Sequence, residues 1–226
     1  TPTEDQVLTA ANTLADEDGL GSISYQWKRA GSAISGATSS TYTLVQADVG
    51  SAITVTASYT DGQNTAESET SDATSAVANV NDAGSGISLE GCPGDINDPD
   101  EDDSICITGT LADEDGVTNA APTYQWYRND GTTTTLVSTG SGNVNDSYTF
   151  WQADVGCIIS LVYTYTDDLS SSNTISLILT SDVDNVNDAP TGTVTISGTV
   201  AEDSTLTASN DLADEDGIGS ITYTWS

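Results

Sequence analysis

Leu14-Ala15-Asp16-Glu17-Asp18-Gly19 returns as Leu111 to Gly116 and again as Leu212 to Gly217. Each copy leads into an aromatic stretch: Tyr25-Gln26-Trp27, Tyr124-Gln125-Trp126 and Tyr223-Thr224-Trp225. Each is preceded by a Glu-Asp pair: Glu4-Asp5, Glu101-Asp102 and Glu202-Asp203. Gln46 to Gly50 recurs as Gln152 to Gly156, and Asn79 to Gly84 as Asn185 to Pro190. The order is conserved from copy to copy, with a period of about 100 residues, so the chain is an array of one repeated unit.

Within a copy the apolar period is two. Ile23, Tyr25 and Trp27 share one face; so do Ile53, Val55, Ala57 and Tyr59, matched by Ile159, Leu161, Tyr163 and Tyr165. Ser and Thr fill most positions between, the pattern of a half-buried antiparallel strand. Asp18-Gly19, Ala30-Gly31, Val49-Gly50 and Asp61-Gly62 supply turns. Short strands and regular turns in each copy predict an all-β fold. The expected arrangement is a tandem, extended array of immunoglobulin-like antiparallel β-sandwiches with seven strands, A to G, per complete unit. The expected repeats are 1–82, lacking its first strand; 83–188, complete and carrying an acidic insertion at 93–103; and 189–226, first strands only. So cut, the chain reads as a slice of a longer array, or as one whose ends a neighbouring chain completes by strand addition. Trp27, Trp126 and Trp225 are expected on strand C, between the sheets.

Composition limits what the array can do. Three basic residues, Lys28, Arg29 and Arg128, face 35 acidic ones, a formal net charge of −32. Internal ion pairs cannot neutralise that surplus, which opposes compaction unless cations enter. A nucleic-acid partner is excluded, because its backbone is bound by Lys and Arg. Anionic lipid is repelled, and no apolar run of spanning length occurs. There is no His, hence no histidine-based triad or metal centre, and no Gly-rich phosphate loop. Paired carboxylates can hydrolyse glycosides, but here they recur at turns in every copy, a structural rather than catalytic pattern. The chain is expected not to be an enzyme.

The acids concentrate at turns. In an immunoglobulin-like order the A–B and E–F turns lie at one end of a sandwich and the B–C and F–G turns at the other. One junction should gather Glu4, Asp5, Asp48, Asn79, Asn81 and Asp82 with Asp113, Glu114, Asp115, Asp167 and Asp168. The next should gather Glu101, Asp102, Asp154, Asp184, Asn185, Asn187 and Asp188 with Asp214 and Asp216. Calcium takes six to eight carboxylate and carbonyl oxygens, so calcium is the expected cofactor. Turn-forming Asp and Asn need no ion; what favours one is the convergence of several clusters with so few Lys or Arg to pair them.

Ala15-Asp16-Glu17-Asp18-Gly19 followed by Ile23-Ser24-Tyr25 resembles the Asp-x-Asp turn of cadherin-type repeats. Asn185-Val186-Asn187-Asp188-Ala189-Pro190 resembles their Asp-x-Asn-Asp-x-Pro linker, and the same ending is similar to tandem repeats of giant bacterial adhesins. The resemblance implies that the sandwiches are cadherin-like, with inter-domain calcium at these residues. The chain departs from it in having Asn79 and Asn185 where the linker begins with Asp, and Gly84 where Pro190 ends the second linker.

All three cysteines, Cys92, Cys106 and Cys157, fall in the second copy; Thr9, Thr207 and Ser51 stand at matched places. Cys92–Cys106, closing the acidic insertion Asp95 to Asp103, is the preferred bridge, with Cys157 free or intermolecular. The insertion reads either as an extra calcium loop or as a solvated acidic loop. A disulfide suits a secreted protein. Asn145-Asp146-Ser147 matches a glycosylation acceptor.

Two functions compete. In the first, the chain is an extracellular repeat segment of a calcium-rigidified adhesin stalk or filament at a bacterial cell surface, its partners being neighbouring repeats and other copies. In the second, each repeat is itself a module binding carbohydrate or another surface, for which Tyr127 and Trp151 are the aromatic candidates.

Overall fold

A computed structural model describes residues 1–142 and 146–226. The acceptor motif at Asn145 therefore falls outside the described residues. The chain is all-β and divides into two compact units, Thr1–Ala83 and Gly84–Ser226. Among the described residues the helical segments are two short 3-10 turns, Gln46–Asp48 and Gln152–Asp154, and no helix is long and apolar enough to cross a membrane.

The first unit holds β1 (Val7–Thr9), β2 (Ser24–Arg29), β3 (Ser32–Ala33), β4 (Thr41–Thr43), β5 (Ile53–Thr60) and β6 (Ala66–Thr70). β1 pairs with β4; β3, β2, β5 and β6 form a second antiparallel sheet in that order. Alternation decides what is buried. Trp27 and Ile53 turn inward and share a core with Leu44 and Val77. Thr54, Thr56 and Ser58 occupy the alternate positions, where Thr56 and Thr70 share a hydroxyl hydrogen bond of 2.8 Å. Trp27 stacks on Tyr42 at 5.8 Å and donates its indole N–H to Ser39 O at 2.9 Å.

The second unit repeats this plan on a larger core. It contains β7 (Ser85–Gly91), β8 (Ser104–Ala112), β9 (Thr123–Asn129), β10 (Thr134–Ser141), β11 (Ser147–Thr149), β12 (Ile158–Thr166) and β13 (Ser172–Ile178). One sheet runs β10-β9-β12-β13, the other β11-β8-β7. Ile105, Ile107 and Tyr148 from one sheet pack with Tyr124, Trp126, Ile159, Leu161, Tyr163 and Tyr165 from the other. The last four are successive odd positions of β12, as period two requires.

In residues 189–226, β14 (Val194–Gly198) pairs with β15 (Leu206–Asn210). The aromatic strand expected at Tyr223-Thr224-Trp225 is not formed, and Trp225 is 54% exposed. A strand exists only through its neighbour: β2 is held by β5 and β9 by β12, and Tyr223 has no such neighbour among the described residues. Its hydroxyl instead accepts from Asn210 Nδ2, as Tyr25 accepts from Asn12.

The three Glu-Asp pairs share a backbone. Asp5, Asp102 and Asp203 all lie in the left-handed region, at φ 63°, 69° and 59°, a conformation Asp tolerates better than most residues.

Candidate metal centres

Glu4 and Glu101 are placed by the same construction. Glu4 N donates to Ala78 O at 3.0 Å, and Ala78 N to Pro2 O at 2.9 Å. Glu101 N donates to Asp184 O at 2.9 Å, and Asp184 N to Pro99 O at 2.8 Å. A short parallel bridge thus ties each Glu to the chain that leaves its repeat, Thr3 to Ala78 and Asp100 to Asp184. The left-handed Asp that follows redirects the chain: Asp5 N reaches Leu44 O at 3.1 Å and Asp102 N reaches Phe150 O at 3.2 Å. Both glutamates end up 4% exposed.

In the second unit the Glu101, Asp188 and Glu215 carboxylates come together, with one oxygen from each within 4.8 Å of the others. Burial, and then the charge of Asp188, push the Glu101 carboxyl above its usual range, against a backbone hydrogen bond at Val186 that lowers it. The Gln152 amide lies 3.2 Å from both Glu101 oxygens when its NH2 faces them. Asn187 Nδ2 donates to Asp188 O at 2.8 Å, shaping the linker. In the first unit Glu4 and Asp82 also bring carboxylate oxygens within 4.8 Å of each other, and Asn81 Nδ2 donates to Asp82 O at 3.2 Å.

A further cluster lies wholly within the first unit: Asp16, Asp18 and Asp61, again within 4.8 Å. Asp16 Oδ1 accepts from Asp18 N at 2.8 Å, which folds the Asp-Glu-Asp turn. Gly62 N donates to Asp18 O at 3.1 Å, docking that turn onto the one after β5. Only glycine permits this approach, since a Cβ on Gly62 would stand 2.3 Å from Asp18 O. Tyr59 donates its hydroxyl to Asp16 Oδ2 at 3.0 Å, and Gln63 Nε2 donates to Asp18 Oδ1 at 2.9 Å.

The resemblance implies Asp16 and Asp18 as ligands between domains, whereas here they meet Asp61 of their own unit, a residue not among the expected ligands. Glu215 is likewise unexpected. Asp214 and Asp216, expected instead, hold the turn: Asp214 Oδ1 accepts from Asp216 N at 3.1 Å, and Asp216 Oδ2 from Asp188 N at 2.7 Å. The middle residue, Glu215, has the longer side chain and reaches the cluster.

Asp113 is used in the same way. Its Oδ1 accepts from Asp115 N at 2.9 Å and its Oδ2 from the Tyr165 hydroxyl. That bond, with burial as the larger cause, drives the Tyr165 hydroxyl far up. Asp167 accepts from Leu169 N and Ser171 N, each at 2.9 Å, and from Asn173 Nδ2 at 2.9 Å. Asp115 and Asp167 are 4% and 5% exposed. Asp5, Asp102, Asp184, Asn185 and Asn187 are exposed and Asn79 is half-buried.

Asp48 and Asp154 differ from the ligands expected of them. Each is completely buried beneath its own 3-10 turn. Asp48 accepts from Arg29 Nε at 2.6 Å, Tyr42 Oη at 2.8 Å and Val45 N at 3.0 Å. Asp154 accepts from an Arg128 guanidinium nitrogen at 3.3 Å, Tyr148 Oη at 2.8 Å and Trp151 N at 3.0 Å. Their oxygens are taken up inside the fold, because the turn directs the third residue back to cap its own start.

Cys92 and Cys106 form a disulfide with a Cα–Cα separation of 5.8 Å. Cys157 is a free thiol only 6% exposed, so the intermolecular role considered for it lacks access. Trp151 is 62% exposed, whereas Tyr127 is half-buried and donates to Gln125 Oε1 at 3.0 Å.

No protein-family model matches the chain, and no curated protein matches it.

Proposed function

We propose that the chain is an extracellular structural segment of a larger surface protein, an adhesin stalk or filament. Its immunoglobulin-like, cadherin-like repeats (1–82, 83–188 and 189–226) are stiffened by calcium. One observation carries this reading: Glu101 is 4% exposed and sits beside Asp188 and Glu215. A buried carboxylate among like charges is unfavourable unless a proton or a cation joins it. Two of the three basic residues are already committed, Arg29 to Asp48 and Arg128 to Asp154. Among the described residues no basic side chain pairs with Glu101, Asp188 or Glu215, so the counter-charge is assigned to a cation from solution. The donors are hard carboxylate oxygens, which suits calcium and not a thiolate- or imidazole-preferring metal. The three carboxylates come from the strand A–B turn of one repeat, the linker, and the B–C turn of the following segment. An ion there would hold the linker in one conformation.

This reading assigns no catalysis to the chain and places it outside a bacterial cell, where the Cys92–Cys106 disulfide would persist. Calorimetric titration of the whole chain with calcium tests it. Saturable binding that weakens in Glu101→Gln and in Asp188→Asn supports the reading. Heat of mixing alone, unchanged by either substitution, refutes it. A second reading, in which a repeat binds carbohydrate, is favoured by one residue, the exposed Trp151. Quenching of tryptophan fluorescence by oligosaccharide, lost in Trp151→Ala, is its test.

A further inference from the structure

We propose that the Cys92–Cys106 disulfide is a redox-sensitive staple that seats Glu101 in its carboxylate cluster; its effect on calcium rests on reading that cluster as a calcium site. Internal comparison carries the argument. In the last segment the hairpin joining its first two strands closes between the paired residues Gly198 and Leu206, leaving 199–205 as loop. In the second repeat the equivalent hairpin closes between Gly91 and Ile105, leaving 92–104. Glu202 and Glu101 occupy the matched place in the two loops. The insertion makes the second loop roughly twice as long, which raises the entropy lost when its ends meet.

The repeat with the long loop is also the one with the disulfide. The bridge crosses the base of the loop, flush with its last rungs: Cys92 N donates to Ser104 O at 2.7 Å and Ser104 N to Pro93 O at 2.8 Å. Glu101 lies inside the bridged segment, where backbone hydrogen bonds hold it and its neighbours in place, Asp184 N to Pro99 O and Phe150 N to Asp103 O among them. Its N–H reaches Asp184 O, and its neighbour Asp102 reaches Phe150 O. Elsewhere in the loop Asn97 O accepts from Ser181 Oγ at 3.0 Å. Seating Glu101 at 4% exposure beside the Asp188 and Glu215 carboxylates is costly. A covalent closure that removes freedom from the loose alternatives offsets that cost.

Both cysteines are half-buried, so a reductant can reach them. A dithiol such as dithiothreitol supplies the two electrons. One of its thiolates attacks a bridge sulfur, the S–S bond breaks, and the other cysteine leaves as a thiolate that takes up a proton. The second dithiol sulfur then displaces the first cysteine, and the reductant departs as a cyclic disulfide.

The test uses the whole chain in three forms: oxidised, reduced with dithiothreitol, and as the double variant Cys92→Ser, Cys106→Ser. Amide hydrogen exchange and calcium calorimetry are read on each. Opening the bridge should cut protection of the Glu101 and Asp184 amides by at least about tenfold, while the amides of β9 and β12 keep theirs. Calcium affinity of the Glu101 cluster should fall at least about fivefold, with the Asp16–Asp18–Asp61 cluster unchanged. Equal protection and equal affinity in all three forms overturn the staple. Lost protection in a chain that binds no calcium even when oxidised overturns the calcium reading and leaves the staple supported. Loss of protection throughout the second unit overturns the local role assigned to the bridge.

Discussion

Arg29 Nε donates to Asp48 Oδ1 at 2.6 Å beneath the turn that precedes β5. Arg128 and Asp154 make the matching pair in the next repeat at 3.3 Å. In both, the aspartate is fully buried and the arginine keeps about a third of its side chain in solvent. The pair resolves an apparent paradox: a chain with so few cations spends two of them on internal structure. A completely buried carboxylate needs its partners more than a surface one does, and the shared tyrosine, Tyr42 or Tyr148, completes its shell.

Asp154→Ala should therefore act on stability and not on metal binding. It strands the buried Tyr148 hydroxyl and the Trp151 N–H, and should cost about 2–4 kcal/mol. Denaturant unfolding measures the loss. Calcium titration of the still-folded variant should return the stoichiometry of the parent chain; a missing site would restore Asp154 to the ligands.

Calcium should raise the melting temperature, and a chelator should reverse the gain. At about one hundred times its Kd the ion adds about 2.7 kcal/mol. Glu101→Gln should change sign with conditions. Without metal it removes a buried negative charge and raises the melting temperature; in saturating calcium it removes a ligand and lowers it. Thermal scans of both proteins with and without calcium should cross in this way.

Gly62→Ala should separate the two turns that build the Asp16–Asp18–Asp61 cluster. The added methyl meets Asp18 O at 2.3 Å, an overlap worth about 1–3 kcal/mol. Calcium binding at this cluster should weaken while that at the Glu101 cluster persists. Gly50→Ala, with open space at its Cβ but a φ of 77°, is the control for backbone strain without a clash.

Two carboxylates should titrate in opposite directions. Asp130 accepts from Thr132 Oγ1 at 2.7 Å and from Thr132 N and Thr133 N at 2.9 and 2.8 Å. These bonds pull it down from 3.8 to about 2. Its contribution to stability is present above the ordinary value and is lost as pH falls through about 2. Glu101, raised by burial, behaves conversely in the metal-free chain: its contribution is present below the ordinary value and is lost as pH rises through the folded one. Carboxyl carbon shifts followed by NMR against pH read both.

The strands were legible because alternation is a local signal. Ile159, Leu161, Tyr163 and Tyr165 declare their face by parity alone, and all four are buried. The inward tryptophan of β2 and β9 was legible for the same reason. The inward Ile105 and Ile107 put Cys106 between them on the other face of β8, which is what brings it within reach of Cys92. The site was legible only in part. Glu4, Asp82, Glu101 and Asp188 were readable from repeated position. Glu215, and the pairing of Asp16 and Asp18 with Asp61, were not, because neighbouring acids in one turn take different tasks, one folding the turn and another facing outward. The segment around Tyr223 carries a strand pattern and no strand, since pattern does not provide the hydrogen-bonded neighbour.

The residue order alone determined an all-β repeat, its period, its inward faces and a surplus of negative charge, all of which follow from short-range periodicity and counting. Which carboxylates meet, and which are consumed by Arg29, Tyr42, Tyr148 or a turn amide, was decided only by the tertiary structure. A carboxylate's role depends on which donors lie within about 3 Å of its oxygens, and those donors arrive from strands and turns far away along the chain.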